Sequence, residues 1–207
     1  MIQSLQTPRV DVYGFATCDH ASALEHLTKP STDHIESLKC SVCIVDSNDV
    51  YIDHIRLITN DKYDFCICLN QGDNHHTDCL FDFCIEVGKN MDINRVSTLL
   101  VQALSGESDL ICLDYSDLSY LFRKYHTGTV HYGIGNNIDE AISSIPVIES
   151  EESLMLVSSD KIKSVSDLDC ITQDISQEMH PLGWLVTGNL LSGNSLVSEV
   201  LVIEFMV

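Results

Sequence analysis

A polar stretch between two apolar runs carries the side chains best suited to binding a metal. It extends from Asn70 to Cys79 and contains two adjacent histidines, an aspartate and a cysteine, namely His75, His76, Asp78 and Cys79. Neutral imidazole and thiolate are the groups that Zn²⁺ prefers. Adjacent histidines rarely chelate one ion from a regular element, and the sequence offers no second half-site with suitable spacing. We therefore predict a polar surface loop without a metal, and metal binding is an alternative function.

Two other groups of residues contain the side chains that thiol chemistry needs, but their spacing does not bring those side chains together. Cys40 and Cys43 have C-x-x-C spacing, yet they lie in a strand-like run whose positions i and i+3 face opposite sides. Cys18 precedes Asp19 and His20, but neighbours in sequence seldom meet as a nucleophile and its base. The nine cysteines are an odd number, and the chain starts without a secretory signal. This pattern indicates reduced thiols, and we expect a cytoplasmic protein with mostly buried cysteines.

The charge of the chain argues against several classes of partner. Eleven Lys and Arg residues against 31 Asp and Glu give a net charge of −20. Nucleic acids and anionic membranes are bound by clustered basic side chains, which this chain lacks. No apolar run approaches the ~18 residues that a membrane span needs. With 207 residues, 44% of them hydrophobic, the chain can bury a core. We predict a globular protein that binds neither nucleic acid nor membrane.

The elements that would position these residues alternate between strands and helices. The predicted strands are 9–14, 40–46, 50–58, 63–69, 129–134 and 154–158. The predicted helices are 21–27, 79–87, 91–104, 115–125, 139–145 and 165–179. Ser164 and Asp167 have the spacing of a capping box, and 183–190 is expected to form a hairpin with 196–207. The run 63–69 is apolar enough for a parallel strand covered on both faces, so we predict an α/β fold with a parallel sheet in three layers.

The order of segments in the second half of the chain resembles FtsZ, the bacterial tubulin homologue. The matching segments are 105–110, 113–118, 128–135 and 140–144. In that family a long central helix ends in a glycine, and an N-x-D-x-x-D loop, a helix, a glycine-rich strand and an A-I-containing helix follow. The resemblance implies a reduced FtsZ/tubulin-like α/β architecture. Its parts would be a truncated parallel-sheet domain with the central helix at 1–125 and a small α+β domain at 126–207.

The resemblance also implies where GTP or GDP would bind, and there the chain departs from the family. FtsZ and tubulin hold GTP with glycine-rich loops, because glycine lets successive backbone N–H groups approach the phosphates closely. Of these loops the chain keeps Gly14, Gly72 and Thr77, and the Asn-Asp pair that reads guanine falls on Ser97 and Thr98. Asp19, Asp73 and Asp78 would face the phosphates with like charge. At an effective dielectric constant near 20, one such contact at ~4 Å costs on the order of 4 kcal/mol. We expect a degenerate site and no cofactor. A rebuilt pocket that binds GTP or GDP in a polymerising FtsZ-like GTPase is the alternative.

The acidic loop of the family is partly kept. In the family this loop reaches the nucleotide of the next subunit in a head-to-tail filament, where its acidic groups polarise the attacking water. Cys112, Asp114 and Asp117 match its three positions, so both acids are retained and the asparagine is lost. The alternative is that Asp114 and Asp117 only cap the helix at 115–125. We therefore expect a non-enzymatic cytoskeletal paralogue of FtsZ with a protein partner, which is FtsZ itself or a second copy of the chain.

Overall fold

An eight-stranded sheet organises the part of the chain that the computed structural model describes, which comprises residues 9–13, 41–46, 63, 65–72, 81–104, 115–177, 184–190 and 197–206. The strands are β1 Arg9–Tyr13, β2 Ser41–Asp46, β3 Phe65–Asn70, β4 Phe83–Glu86, β5 Thr127–Gly135, β6 Glu152–Ser158, β7 Trp184–Leu190 and β8 Ser198–Met206. The helices in these ranges are α1 Ile93–Leu104, α2 Tyr115–Lys124, α3 Ile138–Ser143 and α4 Val165–Gln177.

The sheet joins a parallel half to a mixed half. The strand order is β1-β2-β3-β4-β5-β8-β6-β7, and each neighbouring pair from β1 to β5 is parallel. Beyond β5, β8 pairs antiparallel with both β5 and β6, whereas β7 pairs parallel with β6. The β4–β5 pairing, from Cys84↔Thr127 to Glu86↔Thr129, carries the sheet across the predicted boundary between residues 125 and 126. The division of the chain into two domains stays a prediction.

One face of the sheet packs against α1 and α2. From the strands it contributes Val42, Ile44, Phe65, Ile67, Phe83 and Ile85, and the helices contribute Val96, Leu99, Leu100, Leu118 and Phe122. The Phe122 ring stacks on Phe83 with centroids 4.7 Å apart. Burial of such apolar area is the main favourable contribution to folding. In the mixed half, the opposite face packs against α3 and α4, so the sheet lies between helical layers there. This agrees with the predicted three-layer α/β fold.

Local sequence signals account for the helix starts. The predicted capping box is confirmed: Asp167 N donates to Ser164 Oγ over 3.2 Å, and Ser164 N donates to an Asp167 carboxylate oxygen over 2.9 Å. Asn137 caps α3 by accepting from Glu140 N over 2.9 Å. These contacts satisfy backbone N–H groups that a helix leaves without partners in its first turn. The predicted central helix is also confirmed, as α1.

The predicted helix at 79–87 is wrong, because residues 83–86 form strand β4. Phe83, Cys84 and Ile85 are all buried, on both faces of the chain. An amphipathic helix would leave one face in water, whereas a central parallel strand is covered on both faces. Aromatic and β-branched residues also favour the extended backbone. The parallel strand predicted at 63–69 is confirmed as β3, whose six residues are all buried.

The predicted hairpin of 183–190 with 196–207 is also wrong. Strand β6 lies between β7 and β8. The first six residues of β8 are all buried, as suits a strand paired on both edges. Strands β6 and β7 are parallel, so their connection must cross over the sheet, and α4 lies in that connection. The Ser-Gly-Asn turn signal at 192–194, the helix predicted at 21–27 and the strand predicted at 50–58 lie outside the described residues. Among the described residues, no helix is both long and apolar enough to cross a membrane.

Candidate functional site

A cavity of about 500 Å³ opens where β3 and β4 end, beside β5. Its walls come from the end of β3 (Asn70, Gln71, Gly72), from β4 and the residues after it (Glu86, Val87, Gly88, Lys89, Met91), and from β5 (Thr129, Val130, His131). The carboxyl edge of parallel strands is where α/β proteins bind small ligands. This cavity is the candidate functional site.

Hydrogen bonds hold the two loops of the cavity in place. Gln71 Nε2 donates to the backbone oxygens of Gly88 over 2.9 Å and of Met91 over 2.6 Å. Gly72 N donates to Asn70 Oδ1 over 3.2 Å, and Val87 N donates to Asn70 O over 2.8 Å. The cavity wall is therefore fixed by the side-chain amides of Asn70 and Gln71. Gly72 lies in this wall, and its role in nucleotide binding stays a prediction.

A hydrogen bond between a histidine on β5 and a glutamate on β8 borders the cavity. His131 Nε2 lies 2.7 Å from Glu204 Oε2. The other oxygen of Glu204 accepts from the backbone N–H groups of Glu149 and Ser150, each over 2.8 Å. Side chains of β5 alternate between the two faces of the sheet, so Thr129 and His131 lie on one face and Val130 on the other. This alternation in the sequence identifies the polar face of β5.

A second polar group joins the central helix to the mixed half of the sheet. Arg95 on α1 donates from Nε to Glu199 Oε1 over 2.7 Å and also from a terminal nitrogen to Oε2. Tyr132 on β5 donates its hydroxyl to the same carboxylate. Glu199 is only 4% exposed. Burial alone would raise the pKa of Glu199, but the hydrogen bonds from Arg95 and Tyr132 outweigh it and hold that pKa below its ordinary value. Burial of Tyr132 itself, together with its hydrogen bond to Glu199, raises the pKa of the Tyr132 hydroxyl.

Ser97 and Thr98, which the resemblance matches to the guanine-reading pair, lie in the middle of α1. Ser97 is buried on the core side of the helix, and the Thr98 hydroxyl donates to Asn94 O over 2.8 Å. A hydroxyl that donates to the backbone oxygen four residues earlier in its own helix no longer has its proton available for a ligand. Neither side chain carries a carboxylate.

Several predicted site residues lie outside the described part of the chain. These are Gly14, Thr77, His75, His76, Asp78, Cys79, Cys112 and Asp114. Asp117 lies in the first turn of α2, as expected for a residue near a helix start. Among the described residues, no group of three or more His, Cys, Asp or Glu side chains is arranged to hold a metal. The roles of the acidic loop and of the histidine loop stay predictions.

The order of strands and helices defines an α/β fold whose sheet is parallel in one half and mixed in the other. No family model and no curated protein matches the sequence. Among solved structures, the empty FtsZ dimer from M. jannaschii aligns with a TM-score of 0.60 at 10% identity and covers 81% of this chain. A point mutant of FtsZ from the same organism aligns with a TM-score of 0.59 at 11% identity, also over 81% of this chain. The chain therefore has an FtsZ-like fold in shortened form, and it spans 63% and 65% of those two chains.

Proposed function

We propose that the chain is an FtsZ-like protein that acts by binding another protein and does not hydrolyse GTP. The resemblance to FtsZ implies that the segment 63–89 contains a strand, a phosphate loop and then a helix. One observation carries the proposal: residues 83–86, at the place of that helix, are strand β4. A helix N-terminus offers several unpaired N–H groups and a positive dipole to a phosphate. In a strand paired on both sides, the N–H groups are bonded to the neighbouring strands. Residues 83–86 therefore have far fewer free N–H groups for a phosphate than the first turn of a helix has.

The positions on the central helix support the same proposal. Guanine is distinguished from other bases by donors on its Watson–Crick edge, and a carboxylate is their natural acceptor. Ser97 is buried and the Thr98 hydroxyl is bonded within α1. The charge of −20 adds a general repulsion toward a nucleoside triphosphate,.

We expect GTP and GDP to bind weakly or not at all. Calorimetry of the chain with millimolar GTP and Mg²⁺, and separately with GDP, measures this directly. A genuine FtsZ treated identically serves as the positive control. A dissociation constant in the low micromolar range would contradict the proposal.

A GTP-binding, polymerising FtsZ-like protein is the second candidate, and the cavity at the ends of β3 and β4 is the observation that favours it. Its volume of about 500 Å³ falls within the range of small-molecule sites,. Nucleotide retained by the freshly purified protein, released by acid and identified by chromatography, would favour this candidate over the first.

The partner that we propose is a genuine FtsZ subunit. A head-to-tail contact propagates only if both faces of a subunit are intact. A chain with a degraded nucleotide face but a retained acidic loop can occupy the nucleotide face of an FtsZ subunit and stop further addition. It cannot elongate a filament itself.

We expect the chain alone to form no GTP-dependent filaments and to inhibit FtsZ assembly at substoichiometric amounts. The Asp114→Ala, Asp117→Ala double variant should weaken this inhibition. The matched control is Asp169→Ala, Asp174→Ala, which removes the same charge from exposed positions of α4. Light scattering and sedimentation of FtsZ with each protein give the measurement. Filaments of the chain alone, or equal inhibition by both double variants, would speak against capping through the acidic loop.

A further inference from the structure

Four buried thiols share one face of the parallel half of the sheet. On β2, β3 and β4, the buried apolar residues that face away from α1 and α2 are Cys43, Val45, Cys66, Cys68 and Cys84. Four of these five strand positions are therefore cysteine, whereas the opposite face of the same strands carries Val, Ile, Leu and Phe. A cysteine can fill such a position as a small apolar residue.

The register places these thiols side by side in two pairs. Cys43 is the partner of Cys66 between β2 and β3, and Cys68 is the partner of Cys84 between β3 and β4. Partners in a parallel ladder point to the same face, and neighbouring strands lie about 4.8 Å apart. A disulfide needs Cβ atoms about 3.8 Å apart, so this spacing is too wide for one without movement of the backbone.

The same spacing suits a metal ion between two opposed thiolates. A metal–thiolate bond is about 2.3 Å, so a linear sulfur–metal–sulfur unit spans roughly 4.6 Å. Tetrahedral ions such as Zn²⁺ require further ligands, and no group of three or more ligating side chains exists among the described residues. Thiolates select soft ions, and Cu(I) is the soft biological ion for such a low coordination number.

The candidate cavity opens close to one of the two pairs, at the ends of the same two strands. Asn70 and Glu86 line the cavity and are themselves partners in the β3–β4 ladder. Each follows a cysteine of the Cys68–Cys84 pair by two residues, so they lie on the same face, about 7 Å further along the strands. The Glu86 carboxylate and the charge of −20 attract a cation to this opening,.

The geometry points to a Cu(I) site formed by Cys68 and Cys84, with the candidate cavity as its route in. Binding breaks two S–H bonds, forms two Cu–S bonds and releases two protons, and copper stays in the Cu(I) state throughout. No oxidant or reductant is consumed. The site is independent of the proposed role in FtsZ capping, because it uses none of the residues of the acidic loop.

The test is an anaerobic titration of the full chain with Cu(I), in competition with the chromophoric chelator bicinchoninate. We expect Cys68→Ala and Cys84→Ala each to bind one equivalent fewer than the parent. Cys170→Ala, which removes an exposed thiol on α4, is the matched control and should bind as the parent does. Equal binding by the parent and the two pair variants, or the same loss in Cys170→Ala, would overturn the assignment.

Two readouts on the parent chain keep the proposal testable where a core variant fails to fold. X-ray absorption at the copper edge, with one equivalent bound, should show two sulfur neighbours in a linear arrangement. A pH-stat should record two protons released for that equivalent. Three or more sulfur or nitrogen neighbours, or no proton release, would exclude the two-thiolate site.

Discussion

Replacing Gly133 with alanine should destabilise the chain by about 3 kcal/mol or more, in the upper range of overpacked core positions. Gly133 lies in β5, where α3 crosses the strand at close range. A Cβ atom at Gly133 would lie 2.0 Å from the backbone oxygen of Ala141 and 2.7 Å from Ser144 Oγ. Backbone cannot rotate out of the way as a side chain can, so α3 has to move away from the sheet. Urea unfolding followed by circular dichroism measures the loss.

Gly88→Ala is the matched control for this prediction. A Cβ atom at Gly88 would meet only the Met91 side chain, with its nearest atom at 3.4 Å. That is ordinary contact with a flexible side chain, so we expect a change within about 0.5 kcal/mol in either direction. Equal effects of the two substitutions would mean that α3 does not lie against β5 as described.

The parts of the fold that the sequence predicts well are those in which local signals agree. The capping box of Ser164 and Asp167 marks the start of α4, and the spacing of Val96, Leu99, Leu100 and Ala103 marks the buried side of α1. In each case the residue pattern repeats at the period of a single element, so no knowledge of the neighbours is needed.

The two errors arise where the neighbours decide the structure. The run 79–87 contains enough apolar residues for either a helix or a strand, and only its pairing with β3 and β5 makes 83–86 a strand. The turn signal at 192–194 suggested that the flanking strands pair with each other. Their true partner is β6, which inserts between them, and this arrangement depends on contacts far apart in sequence.

The candidate site was only partly predictable for the same reason. Gly72 was identified through the family resemblance, and it does lie in the cavity wall. The contributions of Gln71, Lys89 and His131 come from three separate segments that the sheet brings together. The thiol pairs follow from strand register, because the sequence shows cysteines at alternate positions but not which strands are neighbours.

Glu199→Ala should also destabilise the chain by about 3 kcal/mol, the lower end of the cost of breaking a buried ion pair. The variant leaves the Arg95 guanidinium and the Tyr132 hydroxyl without their shared acceptor. We choose the lower end because the Arg95 side chain is 32% exposed and water can solvate part of it. Urea unfolding at neutral pH measures the decrease in the free energy of unfolding. This decrease shows how much the Glu199 contact contributes to the attachment of α1 to β5 and β8.

Glu152→Ala is the control for the removal of a carboxylate from an ion pair. Glu152 Oε1 lies 2.5 Å from Lys124 Nζ, but 39% of the lysine side chain is exposed. Exposed pairs contribute little, because water and salt replace the partner at small cost. We therefore expect a much smaller loss than for Glu199→Ala, and comparable losses would show that burial is not what makes the Glu199 contact important.

The effect of Glu199→Ala should also depend on pH in a defined direction. The hydrogen bonds from Arg95 and Tyr132 hold the pKa of Glu199 below its ordinary value in the folded state. A carboxylate with a depressed pKa stabilises the fold above its unfolded-state pKa, near 4.3, and this contribution is lost as the pH falls through the folded value. The difference in unfolding free energy between parent and variant should therefore be constant around neutral pH and narrow below about pH 4. A difference that stays the same down to the acid unfolding of the parent would mean that the charge of Glu199 contributes nothing. In that case the side chain would matter for its packing alone, and the link between α1 and the mixed half of the sheet would not be electrostatic.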